Sequence, residues 1–381
     1  MDVIFLLGAT QAFFLAFLAF NKKGKSTADY ILAFWLCFMG LHLLDHYSYS
    51  TGIAYQYPHI LGIGVSFPLL QGPLMFLYIQ LMITRNNKFK WSYLLHAIPF
   101  LFFTVYFLFD FYFLTTEGKL AYYAREETDP SIAVNFLSFL STMLGPIYVI
   151  WSLIKLRKHI KNISNRFSYT EEIDLKWLKH VLIGLGFVWL TVMFSNFFGL
   201  VFPILDGDLS GHLIYLSLTI AIFFLGYFGI RQQAIYVNLS TAAEPPIIDI
   251  VKVEEKKEAQ YKKSGLKDEE AKKHLQELIA YMDGEKPYLN GKLSLKEVAA
   301  HIDISVNHLS QIINEQLSKS FFDFVNEYRV AEVKKQIEEM KHEQFTLLSI
   351  AYNSGFNSKS SFNSIFKKLT GLTPSQYIFN K

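Results

Sequence analysis

The sequence predicts an all-α protein in two unlike parts: a polytopic bundle of seven membrane-spanning helices, then a smaller domain with two helix-turn-helix units. Three observations predict it. Hydrophobic residues make up 51% of the 381-residue chain and aromatic residues 17%, and this excess belongs mainly to residues 1–233, while Lys and Glu crowd residues 252–343, so two solvents are implied. Seven runs are long enough to cross a bilayer core, which takes ~20 mostly apolar residues as helix. The last thirty or so residues spell a short helix, a glycine turn at Gly355 and a second helix with polar side chains along one face.

The seven runs are 3–20, 30–49, 60–84, 92–114, 131–153, 181–203 and 212–230. A soluble core helix would carry a polar stripe of comparable width, whereas these are apolar all round. Only Met1 and Asp2 precede the first run and no small-residue cleavage pattern follows it, so it reads as a retained anchor and not a secretory signal. Basic residues in the connections set the orientation. Lys22, Lys23 and Lys25 follow the first run; Arg85, Lys88 and Lys90 follow the third; Lys155, Arg157, Lys158, Lys161, Arg166, Lys176 and Lys179 follow the fifth. The alternate connections hold only Lys119 and Arg125. The N-terminus is therefore expected outside and everything after Arg231 in the cytoplasm, in a multi-pass protein of the inner (cytoplasmic) membrane of a cell, as in bacteria. The lone Cys37 excludes an intrachain disulfide.

Ionisable and polar groups within spans are expensive, and so draw attention. His42, Asp45 and His46 fall at i, i+3 and i+4 of the second run, hence on one helical face, toward its outer end. The first reading is that they hydrogen-bond between helices and hold the bundle together. The second is a ligand-sensing pocket shared with Gln71, His96, Asn135 and Asn196 from other spans. A metal comes last because a third ligand is not evident, so no metal and no cofactor is expected. Pro68, Pro73, Pro99, Pro146 and Pro203 should kink or break helices by removing an amide donor. The seventh run has no Lys, which excludes a retinal Schiff base. The longest outer connection, Thr115 to Pro130, is too short for a folded outer domain.

Residues 234–267 read as a juxtamembrane linker, in which Pro245 and Pro246 forbid helix and charge predominates from Lys252 to Lys263. It leads to a solvated helix, Asp268 to Met282, whose Leu275, Leu278, Ile279 and Met282 follow helical spacing. Packing of this helix on the following domain is favoured over a dimer helix, because the apolar run is under three heptads. A homodimer stays open.

Residues 268–381 form the third part. Ser294 and Glu297 make a capping box for a helix over Leu295 to His301, and Ser305 caps a second one that buries Leu309, Ile312 and Ile313. Asn307, Ser310, Gln311 and Asn314 then face outward, and Asn or Gln can bond adenine edges bidentately in the major groove. Ser320 and Asp323 make another box for a long helix from Phe321 to about Met340. Thr346 caps a helix to Tyr352, Gly355 supplies a turn, and Ser358 caps a helix over Lys359 to Leu369 with Phe362, Ile365, Phe366 and Leu369 inward. Lys359, Ser360, Asn363, Ser364 and Lys367 are left exposed. From Asp268 onward Lys and Arg number 14 against 15 Asp and Glu, so no general basic footprint is present. After Glu343, however, only basic charges occur, at Lys359, Lys367, Lys368 and Lys381.

The pattern Ile350 Ala351, Gly355 Phe356, Phe362, Phe366 Lys367 Lys368, Gly371, Thr373 Pro374 Ser375 and Tyr377 resembles the signature of AraC/XylS-type transcription regulators, over about residues 270–377. The resemblance implies one chain placing two recognition helices in successive major-groove turns of double-stranded DNA, ~34 Å apart. It implies base contacts from Asn307, Ser310 and Gln311 in the first and from Lys359, Ser360, Asn363 and Ser364 in the second, with Lys367 among the phosphate-facing positives. Two departures stand out: Ile378 occupies a position that is usually Arg, and Val333 and Ile337 replace a Leu-Leu pair. No family suggests itself for the seven-span part. The implied function is a membrane-embedded one-component regulator and not an enzyme, its partners being DNA, the lipid bilayer and an unidentified small-molecule or membrane signal. The alternative, a transporter or membrane enzyme with an attached regulatory domain, lacks an apparent internal repeat or nucleophile-base arrangement.

Overall fold

The computed structural model describes residues 2–84, 90–170, 175–201, 207–239, 268–339 and 344–380. Among them all regular secondary structure is helical, with one isolated antiparallel bridge between Phe167 and Ser294. The chain divides into two compact units. One takes the residues up to Arg157 together with those from Lys176 through the last apolar helix; the other takes Lys158 to Leu175 together with the C-terminal helices.

The first unit contains α1 (Val3–Asn21), α2 (Thr27–Ser50), α3 (Ile53–Gln56), α4 (Pro68–Ile83), α5 (Ile98–Phe107), α6 (Thr116–Thr128), the membrane part of α7 (Ile132–Ser164), α8 (Lys176–Val201) and α9 (Gly207–Leu239). Among the described residues six helical stretches are long and apolar enough to cross a membrane: Val3–Asn21, Thr27–Ser50, Trp91–Tyr112, Ile132–Ser164, Trp177–Phe197 and Leu209–Tyr227. The third expected run is different. Its helix α4 has 16 residues, ~24 Å at 1.5 Å per residue, because Pro68 opens it and the residues before it turn through α3 and a series of bends. Pro favours a helix start, where its missing N–H is no loss. The stretch Trp91–Tyr112 is continuous but not uniform, passing from a 3-10 turn through α5 into a π turn over Leu108–Tyr112.

Two expectations about connections also change. Helix α7 runs for 33 residues, ~50 Å against a hydrocarbon core of ~30 Å, so Lys155, Arg157, Lys158 and Lys161 lie on a helix instead of a loop. Helix α9 continues to Leu239, into the stretch expected as linker; residues 240–267, like Pro203 and Arg85, lie outside the described residues.

Close helix approach explains the packing. Ala9, Ala12, Ala16 and Ala19 give α1 a small buried face while Phe14 and Phe17 point outward, as expected where lipid is as apolar as the side chains and only small residues let backbones meet. At Gly145 of α7 an added Cβ would lie 2.0 Å from the Trp189 ring of α8.

The second unit is built by capping and two cores. Its helices are α10 (Asp268–Gly284), α11 (Leu295–His301), α12 (Val306–Gln316), α13 (Phe321–Glu338), α14 (Leu347–Asn353), α15 (Lys359–Thr370) and α16 (Pro374–Phe379). Ser294, Ser305, Ser320, Thr346, Ser358 and Thr373 each accept the amide three residues on, satisfying a donor that a helix start leaves orphaned. Leu278 and Met282 of α10 join Leu295, Val298, Leu309, Ile313, Phe321 and Phe324 in the first core. Val330, Val333, Ile337, Ile350, Phe362 and Phe366 form the second. Helix α13 therefore belongs to both.

Two details depart from expectation. Asp323 does not complete a capping box on the Ser320 amide; its carboxylate takes the Ser320 hydroxyl (2.7 Å) and the Lys368 ammonium (2.8 Å). Leu369 stays 39% exposed, because the helix ends at Thr370 with Gly371 left-handed (φ 78°), and Tyr377 and Ile378 pack on the second core.

Gly355, at φ 91°, has no room for a side chain: a Cβ would lie 2.2 Å from the Tyr288 carbonyl and 2.9 Å from Arg329 Nε. Left-handed backbone and backbone overlap together make Gly355→Ala cost more than ~2 kcal/mol. Calorimetry of the intact chain should show the unfolding transition of the C-terminal unit lowered by several degrees, with the membrane unit unaffected; an unchanged transition would contradict this packing.

Candidate DNA-reading face and membrane cavity

The first reading candidate is α12. Burial of Leu309, Ile312 and Ile313 turns its other face outward, leaving Gln311 exposed and Asn307 and Ser310 half-buried. The Gln311 amide donates to both Glu315 carboxylate oxygens (3.0 and 3.2 Å), so it would have to exchange that partner for a base. Asn314 is committed locally, donating to the Ser310 carbonyl at 2.7 Å.

On α15 the burial of Phe362, Ile365 and Phe366 leaves Lys359, Ser360, Asn363, Ser364 and Lys367 exposed, as their spacing requires. The Ser360 hydroxyl lies 3.1 Å from that of Ser358. Of the paired lysines, Lys368 is tied to Asp323 on α13, while Lys367 is exposed on the face that carries Asn363. Burial works against the Asp323 charge, yet the hydrogen bonds from Lys368 and Ser320 and the nearby lysine charges outweigh it and hold that carboxyl below its usual range.

The two helix-turn-helix halves of the C-terminal unit meet at a seam. Asn357, after the Gly355 turn, donates to the Gly291 carbonyl at 2.7 Å, and Arg329 of α13 donates to the carbonyls of Tyr288 (2.9 Å) and Asn290 (2.8 Å). Arg329 is only 2% exposed. Its part in the seam could not be read from spacing, since its partners are backbone oxygens.

In the membrane unit His42, Asp45 and His46 do come together, lining a cavity of about 460 Å³. Tyr215 of α9 binds both histidines: its hydroxyl is 2.9 Å from His42 Nε2, and its ring stacks on His46 at 3.8 Å. His42 Nδ1 and His46 Nε2 are buried with no hydrogen-bond partner among the described residues. Helix α6, in the connection expected to be too short for a folded outer domain, adds Tyr122, Tyr123, Glu126 and Glu127 to the lining; Phe107 and Phe111 complete an aromatic wall. The adjacent tyrosines between charged neighbours were the signal available in sequence.

Gln71, His96 and Asn196 are not in that cavity. Gln71 accepts from Trp35 Nε1 (2.8 Å), His96 shares a hydrogen bond with the Tyr148 hydroxyl (2.8 Å), and Asn196 donates to Thr142 (2.6 Å). Asn135 donates to the Pro130 carbonyl at 3.0 Å. Among the described residues no three His, Cys, Asp or Glu side chains gather as a metal site.

Residues 298–378 match the family model of a helix-turn-helix domain. An uncharacterized HTH-type transcriptional regulator from Staphylococcus aureus strain COL is 35% identical over 85 residues, 22% of this chain and 11% of that protein. Regulatory protein PocR of Salmonella typhimurium is 27% identical over 103 residues, 27% of this chain and 32% of PocR. The chain thus covers about a tenth of the first relative and a third of the second. No solved structure matches. The C-terminal domain is a helix-turn-helix domain of the AraC type, and the apolar part has no assigned family.

The Asp323–Lys368 tie gives a pH dependence. A carboxyl with a lowered folded pKa stabilises above its unfolded pKa and loses that contribution as pH falls through the folded one. The C-terminal unit should therefore lose up to about 1 kcal/mol below the ordinary carboxylate range, the pair being partly exposed. Asp323→Asn should be less stable at neutral pH and show a smaller acid loss in unfolding scans; identical pH profiles would refute the tie.

Proposed function

We propose that the chain is a membrane-embedded one-component transcription regulator, in which two cytoplasmic helix-turn-helix units read double-stranded DNA and a signal received by the apolar bundle alters that reading. The observation that carries it is the pairing, on one chain, of an AraC-type domain with six helices of membrane-crossing length. With α4 as a short further crossing, met by local bilayer thinning, seven spans leave the N-terminus outside.

Parity supports the cytoplasmic side. The connection after α7 belongs to the same compact unit as the C-terminal helices, and two apolar helices, α8 and α9, separate them in sequence. Two crossings return the chain to the side it left. That connection is also the richest in Lys and Arg, the mark of a cytoplasmic loop.

Asn307, Ser310 and Gln311 on α12, with Lys359, Ser360, Asn363 and Ser364 on α15, are assigned to base edges, and Lys367 to phosphate. The signal site is the cavity of His42, Asp45, His46 and Tyr215. Its two unpartnered imidazole nitrogens are available to a ligand's hydrogen-bonding groups. Asp45, Glu126 and Glu127 line it and, among the described residues, no Lys or Arg does; Arg125 pairs with Glu126, and Lys119 rests over the Phe111 and Tyr112 rings (5.7 and 6.0 Å). That favours a neutral or cationic small molecule over an anion.

Binding selections with the intact chain in nanodiscs test the reading face. Gln311→Ala should lose ~1 to 3 kcal/mol of preference at one base pair and leave other positions alone. Lys367→Ala should weaken all sequences together and lower the salt slope by about one. Equal losses on every sequence for Gln311→Ala would remove it as a base reader. In cells, genome-wide occupancy of the chain should vary with growth medium, and His42→Ala with His46→Ala should flatten that variation while DNA binding persists; an unaltered response would remove the cavity as the sensor.

A further inference from the structure

We propose that Arg166–Thr170, in the connection between α7 and α8, is a built-in peptide ligand of the DNA-reading domain, docked where its two units join, and that this docking sets the domain's affinity for DNA. The inference rests on the DNA-reading function proposed above.

The segment pairs with the domain through an isolated antiparallel bridge. Leu295 N–H donates to the Arg166 carbonyl (2.9 Å), Ser168 N–H donates to the Leu293 carbonyl (3.1 Å), and Phe167 and Ser294 pair as an antiparallel bridge between them. Main-chain pairing supplies adhesion in strand addition, and side-chain fit supplies specificity. Here the fit is at Ser168, only 1% exposed. Its hydroxyl donates to the Leu293 carbonyl (2.7 Å) and accepts from Arg329 Nη2 (3.0 Å); its carbonyl accepts from Arg329 Nη1 (2.8 Å) and Asn326 Nδ2 (3.2 Å). A guanidinium has five N–H donors. Tyr288, Asn290 and the Asn326 side chain accept three from Arg329, and Ser168 accepts the other two.

The docking point touches every part of the seam. Leu293 and Leu295 lead into α11 of the first helix-turn-helix, Arg329 belongs to the α13 helix that runs through both cores, and the Asn290 carbonyl neighbours Gly291, which Asn357 of the second helix-turn-helix holds. Withdrawing Ser168 removes two acceptors from a buried charged side chain, which strongly favours either redocking or loosening of the strip Tyr288–Leu295. Loosening that strip frees the two recognition helices from a fixed spacing, so the docked state is the DNA-competent one. The segment begins two residues after the end of α7, which is uninterrupted from Ile132, and ends shortly before α8. Movement of α7 along its length would thereby reach it.

The test uses the full-length chain in lipid nanodiscs and a duplex enriched from a random pool by the unsubstituted chain. Hydrogen exchange comes first: since coupling is reciprocal, the duplex should slow exchange of the Ser168 and Leu295 amides by the factor that docking adds to affinity, and unaltered exchange there overturns the proposal. A Phe167→Cys, Ser294→Cys pair in a Cys37→Ser background should form a disulfide on mild oxidation, the oxidised form binding the duplex at least as tightly as the same protein reduced. Absence of the disulfide, or tenfold weaker binding when oxidised, overturns the proposal. Ser168→Pro, which removes the amide and hydroxyl together, should weaken binding at least tenfold; parental affinity in this variant overturns it. Should the unsubstituted chain enrich no duplex, it is the DNA-reading function that fails, a result distinct from each of these.

Discussion

The DNA-reading unit depends on one buried guanidinium. A charged group removed from water is tolerated only where its hydrogen-bonding capacity is met, and Arg329, 2% exposed, meets it with oxygens from two stretches far apart in sequence, Tyr288–Asn290 and Ser168, and from Asn326 on its own helix. Each of those stretches is thereby positioned against α13. The Tyr288–Asn290 strip is drawn onto the helix, the Gly355 turn has to come so close that a methyl group would overlap it, and the Ser168 segment fills the remaining donors. Because α13 contributes Phe321, Phe324 and Val325 to one core and Val330, Val333 and Ile337 to the other, whatever is fixed relative to Arg329 is fixed relative to both helix-turn-helix units.

Read as membrane-spanning, the apolar unit obeys a different constraint. In hydrocarbon, backbone groups have to be satisfied within the segment, which makes helices obligatory and leaves side-chain polarity as the discretionary feature. Part of that polarity is used in pairs between helices: Gln71 through its Oε1 with Trp35, His96 with Tyr148, Asn196 with Thr142. The face of His42 and His46 differs because, beyond the contact with Tyr215, it borders a cavity, and the surrounding rings of Tyr49, Phe107, Phe111, Tyr122 and Tyr123 enclose space instead of filling it.

What could be read from sequence was local. Caps at Ser294, Ser305, Thr346 and Ser358 act within three residues, the turn at Gly355 needs only its own φ, and an apolar run is visible wherever it lies. Outward positions on α12 and α15 followed from the spacing of their buried partners, although spacing overreached at Leu369, where the helix ends before a neighbour can cover it. Failures came where a partner was distant or a boundary lay inside an apolar run. Hydropathy ran straight through Pro68 and so overestimated α4, and the helical content of Thr116–Thr128 was hidden by its charge and shortness. Ser168 carried no signal, since its acceptors serve a side chain 161 positions later and one of them is a main-chain carbonyl.

The same contrast separates a structural polar group from one that can respond to something. A buried group whose hydrogen bonds are complete resists change, because any movement exposes the full cost of desolvation. Asn326 is of that kind, with the Phe322 and Ser168 carbonyls taking its amide and Arg329 held by its oxygen. His46 is of the other kind: its ring is held by stacking on Tyr215 and edge contact with Phe5, interactions that tolerate small displacement, while Nε2 is left without a protein partner. Since α2 and α9 meet through that stacked pair, a molecule bonding to the histidine acts on the contact between two apolar helices, and α9 is the helix that precedes the C-terminal domain in sequence.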